Sequence, residues 1–220
     1  MKSAADFAVT DQFIARWDRE WLAYLGTENP GPHIIPAKDL VRTGTLEAKD
    51  AYGVYHSEIA THPSFDLPCP LHTWVPASEV TGKDVAEIGC GTGLLGRHLS
   101  FEVRHYLGVD VSRLALAIAR GCAADNCTYL HRNDTVDLER FKGTRDSIVT
   151  REFFIHQTFD DACDVLELAG FLLKPGGKVF ADFFLHGPTV SPEAIVHSAR
   201  TQRDHNFASA GFRYSEQDIA

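Results

Sequence analysis

Asp84-Val85-Ala86-Glu87-Ile88-Gly89-Cys90-Gly91-Thr92-Gly93 is the segment from which the architecture of this chain follows. The apolar run at residues 84–88 predicts a buried strand, which the three glycines end. Residues 94–100 then follow a helical pattern. Because glycine has no Cβ, the main chain can turn tightly here and a ligand can approach it closely. The helix behind the loop presents free N–H groups and a positive dipole end. The segment therefore predicts a strand, a glycine loop and a helix that together suit a polar ligand.

Downstream of this segment, short apolar runs alternate with helical ones. Further strands are predicted at residues 103–109, 127–131, 146–150 and 178–184, and helices at 113–120, 158–173 and 192–203. Strands that alternate with helices form a parallel sheet with right-handed crossovers and helices on both faces. We therefore expect an α/β fold with a Rossmann-like, doubly wound, mostly parallel sheet. Ligands of such sheets bind outside the carboxyl ends of the strands, beside the first strand.

Upstream of residue 82 the sequence pattern is different: helical and irregular segments rich in proline and histidine replace the alternation of strands and helices. Thr10 is a candidate N-cap for a first helix with an apolar stripe at spacings of three and four, formed by Phe13, Ile14, Trp17, Trp21, Leu22 and Leu25. A second helix is predicted at roughly residues 37–60. We divide the chain into an N-terminal helical cap or lid at residues 1–80 and an α/β domain at residues 81–220. The stripe fits either packing or a lid over a ligand.

The composition is that of an ordinary globular protein. The 220 residues are 44% hydrophobic and 23% charged, which argues against a wholly disordered chain. A formal net charge of −9 argues against general binding to nucleic acid, because like charges repel. No apolar stretch approaches the roughly 20 residues that span a bilayer, and the N-terminus has no apolar signal region. The five cysteines include no C-x-x-C pair and indicate reduced thiols, so we expect a cytoplasmic location.

Two nucleotide-binding patterns compete for the glycine loop. Gly91-Thr92-Gly93-Leu94-Leu95-Gly96 fits G-x-G-x-x-G, the dinucleotide fingerprint. In that pattern an apolar strand runs directly into its first glycine, whereas here Glu87 stands beside the loop and would repel a pyrophosphate. A carboxylate at that position suits a ligand that carries an ammonium group. Asp110, at the end of the second predicted strand, can accept both hydroxyls of a ribose.

These motifs, in this order, closely resemble the class I methyltransferases that use S-adenosylmethionine. The match consists of Glu87 with Gly89, Gly91 and Gly93, and of Asp110 after Leu107-Gly108-Val109. Residues 146–152 resemble the fourth strand of that family, and residues 172–180 resemble its turn into the fifth strand. The resemblance covers roughly residues 80–190. It implies the fold of the family, S-adenosylmethionine as the cofactor and methyl transfer as the activity.

The resemblance also implies a role for each matching position around the first two strands. Gly89, Cys90, Gly91 and Gly93 would pass main chain along the methionine and ribose portions of the cofactor. Glu87 would lie near the methionine ammonium. Asp110 would bind the ribose hydroxyls, and Val111 would flank the adenine.

Further roles are implied for residues outside those two strands. Asn133 or Asp134, after the third strand, would contact the adenine. Thr150 and Arg151, at the end of the fourth strand, would lie near the methionine moiety. Tyr55, beside His56 in the N-terminal cap, would touch the methionine part.

On the acceptor side, methyl transfer is an in-line displacement that depends on alignment and, for some acceptors, on a base. His156 is the best-placed catalytic base, because it follows the fourth strand and imidazole titrates near neutral pH. Glu152 is a second candidate base. For both residues the alternative is a role at the surface. The histidines show no metal-ligand spacing, so no metal is expected.

We therefore expect a methyltransferase that acts on an oxygen or nitrogen atom of a small molecule. We expect no nucleic-acid or membrane partner, and the sequence does not decide between a monomer and a dimer. The alternatives are an enzyme that cyclises or cleaves the cofactor, a non-catalytic cofactor-binding protein and, more distantly, an NAD dehydrogenase. The family closes its sheet with two more strands, but only about 35 residues follow Phe184. We therefore expect the C-terminal strands to be missing, truncated or supplied by a partner.

Overall fold

The alternation of strands and helices folds as predicted. A computed structural model describes residues 2–25, 70–121, 123–185, 212 and 214–219. The predicted helices at 37–60 and 192–203, and with them Tyr55 and His56, lie outside the described residues. None of the described helices is long and apolar enough to cross a bilayer.

Five parallel strands form one sheet within the described ranges. They are β1 (Asp84–Ile88), β2 (His105–Asp110), β3 (Cys127–His131), β4 (Arg145–Thr150) and β5 (Leu173–Ala181). Their order across the sheet is β3-β2-β1-β4-β5. Glu87 of β1 is in register with Gly108 of β2 and with Val149 of β4. The chain direction of the crossovers reverses beside β1, so the carboxyl ends of β1, β2 and β4 meet at one edge, where such sheets bind ligands.

The described α-helices connect and cover these strands. They are α1 (Asp11–Leu25), α2 (Leu94–Leu99), α3 (Arg113–Gly121), α4 (Thr135–Glu139), α5 (Phe159–Leu172) and α6 (Glu216–Ile219). Short 3₁₀ turns occupy Ala4–Phe7, Pro70–Thr73, Ala77–Glu79 and Phe154–His156. The predicted caps are present: Phe13 N–H donates to Thr10 Oγ1 (3.2 Å), and Ala115 N–H donates to Ser112 Oγ (3.1 Å).

The sheet is buried on both faces, which explains why its strands are almost continuously apolar. Ile88, Leu107 and Ile148 pack on one face against α5. Val85 and Tyr106 pack on the other face, against residues of α2 and α3. Successive side chains of a strand point to opposite faces of the sheet, so each strand contributes side chains to both cores. The predicted doubly wound architecture is confirmed.

Three element boundaries differ from the prediction by two or more residues. β2 begins at His105 rather than residue 103. β5 begins at Leu173 and ends at Ala181, rather than spanning 178–184. Leu173 pairs with Arg145 and Lys178 with Ser147, so residues 174–177, with the sequence Lys-Pro-Gly-Gly, are looped out inside the strand. Near the C-terminus, Tyr214 forms an isolated parallel bridge with Leu185. Close to it, residues Glu216–Ile219 form the short helix α6.

Candidate functional site

A cavity of about 540 Å³ lies at the carboxyl edge of the sheet. Its floor is the glycine loop with Glu87 and Asp110, its side is the turn after β4, and its roof is the aromatic face of α1. This volume falls in the range of small-molecule sites. The sequence-based placement of a ligand site beside β1 therefore coincides with a real cavity.

The glycine loop adopts backbone angles that favour glycine. Gly89, Gly91 and Gly93 have φ values of +81°, +52° and +80°. A Cβ at Gly89 would collide with the ring of Phe153, and one at Gly91 would stand 2.7 Å from the Trp21 ring. The missing side chains thus make room for two aromatic rings of this chain, which line the cavity together with the loop. Gly93 does not line the cavity; it is the N-cap of α2.

Glu87 is a buried carboxyl at the floor of the cavity, 5% exposed. The hydroxyl of Tyr106 donates a hydrogen bond to Glu87 Oε2. Burial raises the pKa of Glu87 to about 7, although this hydrogen bond and the nearby positive charge of Arg151 act in the opposite direction. The carboxyl therefore changes charge near neutral pH.

Asp110 closes β2 and holds the surrounding backbone. Its Oδ2 accepts the N–H of Gly91 (2.8 Å), and its Oδ1 accepts the N–H groups of Val111 (2.7 Å) and Ser112 (2.8 Å). Burial raises the pKa of Asp110, and these hydrogen bonds counteract the rise. A carboxylate offers about four acceptor positions, so one remains for a ligand. Cys90, within the loop, is buried, and burial raises the pKa of its thiol well above the usual range.

The turn after β4 supplies Arg151, Glu152, Phe153 and His156 to the cavity. Glu152 has φ +51° and is the only non-glycine with positive φ in the described part of the chain. Its N–H donates to both carboxylate oxygens of Asp182, at 2.9 and 2.8 Å. Strained residues of this kind concentrate at functional sites. Asp182, just after β5, therefore holds the turn in the conformation that points its side chains into the cavity.

His156 is half-buried in the cavity wall, and its ring lies edge-on to Trp17 with centroids 6.1 Å apart. Burial lowers the pKa of His156, while the charge of Glu152 raises it. The imidazole is therefore neutral at pH 7 and able to accept a proton. Glu152 is exposed at the cavity rim, and its Oε1 lies 3.5 Å from Arg151 Nη2.

The first helix lies over the cavity, with Phe13, Trp17 and Trp21 facing it. Asp18 anchors the helix, because its Oδ1 accepts the Ser112 hydroxyl (2.7 Å) and the Leu114 N–H (3.1 Å). The aromatic stripe thus packs against the protein and covers the cavity, so the two interpretations of its role are compatible.

Several residues expected at the cofactor do not line the cavity. The amide of Asn133 is engaged by the backbone of Val9, with two hydrogen bonds of 2.8 Å. Asp134 is exposed, and its Oδ2 lies 3.3 Å from Arg120 Nη2. The geometry gives no support to an adenine role for either residue. Thr150 is buried behind the cavity wall, and its hydroxyl has no hydrogen-bond partner among the residues described.

The structure adds site residues that the sequence did not single out. Thr92, Phe153, Gln157, Glu20 and Arg132 all line the cavity. Arg132, Thr92 and Phe153 follow the ends of β3, β1 and β4, and Gln157 lies in the same turn as Phe153, so their place after a strand was a signal that could have identified them. Glu20 reaches the cavity from α1, a distant segment of the chain.

The chain is similar in sequence to known methyltransferases. The family described as "Methyltransferase domain" matches residues 86–179. The "Ubiquinone biosynthesis O-methyltransferase" of Erwinia tasmaniensis is 30% identical over 151 residues, or 60% of this chain and 61% of that protein. The "Ribosomal protein L11 methyltransferase" of Idiomarina loihiensis is 29% identical over 119 residues, or 50% of this chain and 38% of that protein. The chain spans about half the length of the curated relatives it matches.

Solved structures also resemble the chain. The "DhpI-SAH complex structure" is 25% identical, with a TM-score of 0.43, and the match covers 61% of this chain and 67% of that one. Of the two curated relatives, one is named for ubiquinone biosynthesis and the other for ribosomal protein L11. The two names therefore do not agree on an acceptor.

Proposed function

We propose that this chain, whose residues 86–179 match a methyltransferase domain, is a class I methyltransferase that uses S-adenosylmethionine and methylates a small molecule at an oxygen or nitrogen atom. The observation that carries the proposal is the cavity in which the glycine loop, Glu87 and Asp110 face a common space. When bound, S-adenosylmethionine supplies a methyl group made electrophilic by a positively charged sulfur.

The residues of the cavity fit this cofactor in size and in charge. A volume of about 540 Å³ accommodates a nucleoside with an amino-acid arm. Glu87 and Arg151 offer opposite charges to the ammonium and carboxylate of that arm. Asp110 keeps an acceptor position for ribose hydroxyls, beside the half-buried Val111. The aromatic faces of Trp17, Trp21 and Phe153 would attract a sulfonium.

On the acceptor side, the residues of the turn after β4 align the reacting groups. His156 presents a neutral imidazole that can take the proton of an attacking hydroxyl or amine. Glu152, at the rim, is the second group able to do so. Helix α1 covers part of the cavity with aromatic rings, and this cover would reduce the access of water and strengthen electrostatic interactions inside the cavity.

Two features support a small molecule as the acceptor. The cavity is roofed by aromatic side chains rather than by lysines or arginines that would track a phosphate backbone. The formal net charge of −9 also disfavours nucleic acid.

Calorimetric binding of S-adenosylhomocysteine tests the cofactor site. The wild type should bind, and Asp110→Ala should weaken binding by about 1.5–3 kcal/mol, the usual loss for a hydrogen bond to a charged group. Asp134→Ala is the matched control, because Asp134 is an exposed acid outside the cavity, and it should change binding by less than about 0.5 kcal/mol. Equal affinities of wild type and Asp110→Ala would remove the ribose role. No binding by the wild type would overturn the proposal.

The acceptor can then be sought with a labelled methyl donor. A metabolite extract is incubated with the protein and donor, and mass spectrometry detects labelled products. A labelled small molecule is expected. Release of the cofactor thioether with no labelled acceptor would instead favour cyclisation or cleavage of the cofactor.

A further inference from the structure

Gln157 is a buried amide in the cavity wall, and its side chain has no hydrogen-bond partner in the described part of the chain. The residue is 3% exposed and lines the cavity. Its backbone is engaged, because its N–H donates to the carbonyl oxygen of Phe154 (3.0 Å) and its carbonyl oxygen accepts the hydroxyl of Tyr214 (2.8 Å). No described residue bonds to the side-chain Oε1 or Nε2. A buried polar group without a partner is unfavourable, so a ligand of the cavity can supply the missing hydrogen bonds.

Two other side-chain amides are satisfied by the protein itself. Asn126 Nδ2 donates to two backbone carbonyl oxygens, at 3.0 and 3.2 Å. The amide of Asn133 exchanges two hydrogen bonds of 2.8 Å with the backbone of Val9. Both residues are half-buried, whereas Gln157 is more deeply buried and lines the cavity. The amide that lacks partners is therefore the one that a ligand of the cavity can reach.

Gln157 belongs to the wall of the cavity on the α5 side of the sheet. The residue comes two positions before the start of α5. The charges of Asp164 and Asp161, in the first half of α5, act on Arg132 at the end of β3. The first turns of α5 and the end of β3 therefore lie close together, and Val165 and Arg132 line the same cavity. The wall that contains Gln157 thus extends from the turn after β4 toward the end of β3.

The base of the proposed cofactor would lie toward that end of the wall. Glu87 and Arg151 offer charges to the amino-acid arm beside β1 and β4, and Asp110 offers an acceptor to the ribose at the end of β2. The arm and the base are attached to opposite ends of the ribose. In the strand order β3-β2-β1-β4-β5, a base on the far side of the ribose from the arm therefore points toward β3.

We infer that the side-chain amide of Gln157 binds the edge of the adenine base of S-adenosylmethionine. Adenine presents a 6-amino donor next to a ring-nitrogen acceptor, and the oxygen and NH₂ group of a glutamine match this pair. Arg132 has donors only, and Asn133 and Asp134 do not line the cavity. Among the described residues that line it, Gln157 is the single side-chain amide. The inference rests on the proposed function, because it names the residue that recognises the base of that function's cofactor.

The first experiment measures by calorimetry the binding of S-adenosylhomocysteine and of its 6-deamino analogue, in which hydrogen replaces the amino group of the base. The wild type should bind S-adenosylhomocysteine about tenfold more tightly, because the analogue leaves the buried Gln157 oxygen unpaired. Gln157→Met should reduce this preference below about twofold, and Gln157→Glu should retain part of it, because a carboxyl oxygen still accepts from the amino group. Gln12→Met is the matched control. Gln12 is exposed on α1 and does not line the cavity, so the full preference should remain.

Thermal unfolding without ligand separates a binding role of the amide from a structural one. An amide without a protein partner contributes no hydrogen bond to the fold, so Gln157→Met should unfold at the wild-type temperature or above it. A lower unfolding temperature together with an unchanged preference for S-adenosylhomocysteine would give the amide a structural role and overturn the inference. A wild type that binds both ligands equally well would overturn it too.

A second comparison uses 5′-methylthioadenosine, which keeps the adenine but lacks the amino-acid arm. Gln157→Met should weaken the binding of S-adenosylhomocysteine and of 5′-methylthioadenosine by the same factor, about five- to tenfold. Weaker binding of S-adenosylhomocysteine alone would assign the amide to the arm, and unchanged binding of both would separate the amide from the cofactor. Either result overturns the inference while the proposed function stands. If the wild type bound 5′-methylthioadenosine through Gln157 but did not bind S-adenosylhomocysteine, the adenine site would remain and the proposed function would fail.

Discussion

Two buried carboxyls at the edge of the sheet are held in different ways. Asp110 accepts three backbone N–H groups, which bind the glycine loop to the end of β2. Glu87 is held by a tyrosine hydroxyl and has a pKa of about 7. Asp110 therefore shapes the site, whereas Glu87 is a group whose charge depends on pH in the physiological range.

The affinity for S-adenosylhomocysteine should depend on the charge of Glu87. The pKa is raised, so the carboxyl is protonated below about pH 7 and then offers no negative charge to the ligand's ammonium. The ionised fraction rises about tenfold between pH 6 and pH 8, and the affinity should rise by up to that factor. Calorimetry at both pH values measures it. In Glu87→Gln this pH dependence of the affinity should vanish. A wild type with the same affinity at both pH values would show that the charge of Glu87 does not act on the ligand.

Gly89→Ala should destabilise the protein. The new Cβ would collide with the Phe153 ring at a φ of +81°, so overpacking and backbone strain together should lower the free energy of unfolding by about 1–3 kcal/mol. Gly170→Ala is the matched control. No atom lies within 4 Å of its new Cβ, and in the interior of α5 alanine should stabilise by about 0.5–1 kcal/mol. Urea unfolding measures the free energy of unfolding of both variants. If both were destabilised, or both stabilised, the collision with Phe153 would not explain the effect of Gly89→Ala.

At the scale of the elements, two segments complete the site that the sheet begins. Helix α1 is fixed over the cavity by Asp18, which binds the first turn of α3. The turn after β4 is fixed by Asp182, which follows β5. Both contacts join a cavity-lining segment to a different element, so the shape of the cavity depends on how these elements pack.

The turn after β4 should lose stability when its anchor is removed. Asp182→Ala leaves the Glu152 N–H without its charged acceptor, and we expect the free energy of unfolding to fall by about 1–3 kcal/mol. Asp125→Ala is the control, because Asp125 is an exposed acid away from the cavity, and it should change stability by less than about 0.5 kcal/mol. Urea unfolding compares the two. Equal effects would show that Asp182 does not hold the turn.

At the scale of the whole molecule, the two edges of the sheet have different electrostatics. The carboxyl edge carries the cavity, with the buried Glu87 and the buried Arg132, neither of which forms an ion pair within the described part of the chain. The opposite edge carries an ion-pair cluster in which Arg104 and Lys174 surround Asp84 and Asp146. Arg104 Nε donates to Asp84 Oδ1 at 2.7 Å, and Lys174 Nζ lies 2.7 Å from Asp146 Oδ1. The ion pairs of this opposite edge stabilise the fold, whereas the buried carboxyl and arginine of the carboxyl edge face the cavity.

The ion-pair edge should determine part of the acid sensitivity of the protein. Hydrogen bonds from Arg104, the nearby charge of Arg145 and a hydrogen bond from Lys174 lower the pKa of Asp84 to about 2. The stabilisation is therefore complete above about pH 4 and is lost as the pH falls through 2. It should amount to about 1–2 kcal/mol, since Arg104 is 58% exposed and solvent screens the pair. Urea unfolding between pH 2 and pH 7 should show a smaller decline in Asp84→Asn than in wild type. Parallel declines would contradict this role.

Local chemistry was enough to predict much of this protein. The strand–loop–helix unit at residues 84–100, the parallel sheet and the position of Asp110 follow from apolar periodicity and from the backbone freedom of glycine. Both act between residues close in the chain. The family resemblance followed from the same residues.

Packing between distant segments determined the walls of the cavity. The rings over Gly89 and Gly91 come from residues 153 and 21, the amide of Asn133 binds Val9, and Arg132 acquires its place in the cavity through Phe7. Each of these contacts joins residues at least 60 positions apart, so no local pattern records it. Hydrogen bonding and close packing select such pairs only after the chain has folded, and that is why the glycine loop was predictable whereas the walls of the cavity were not.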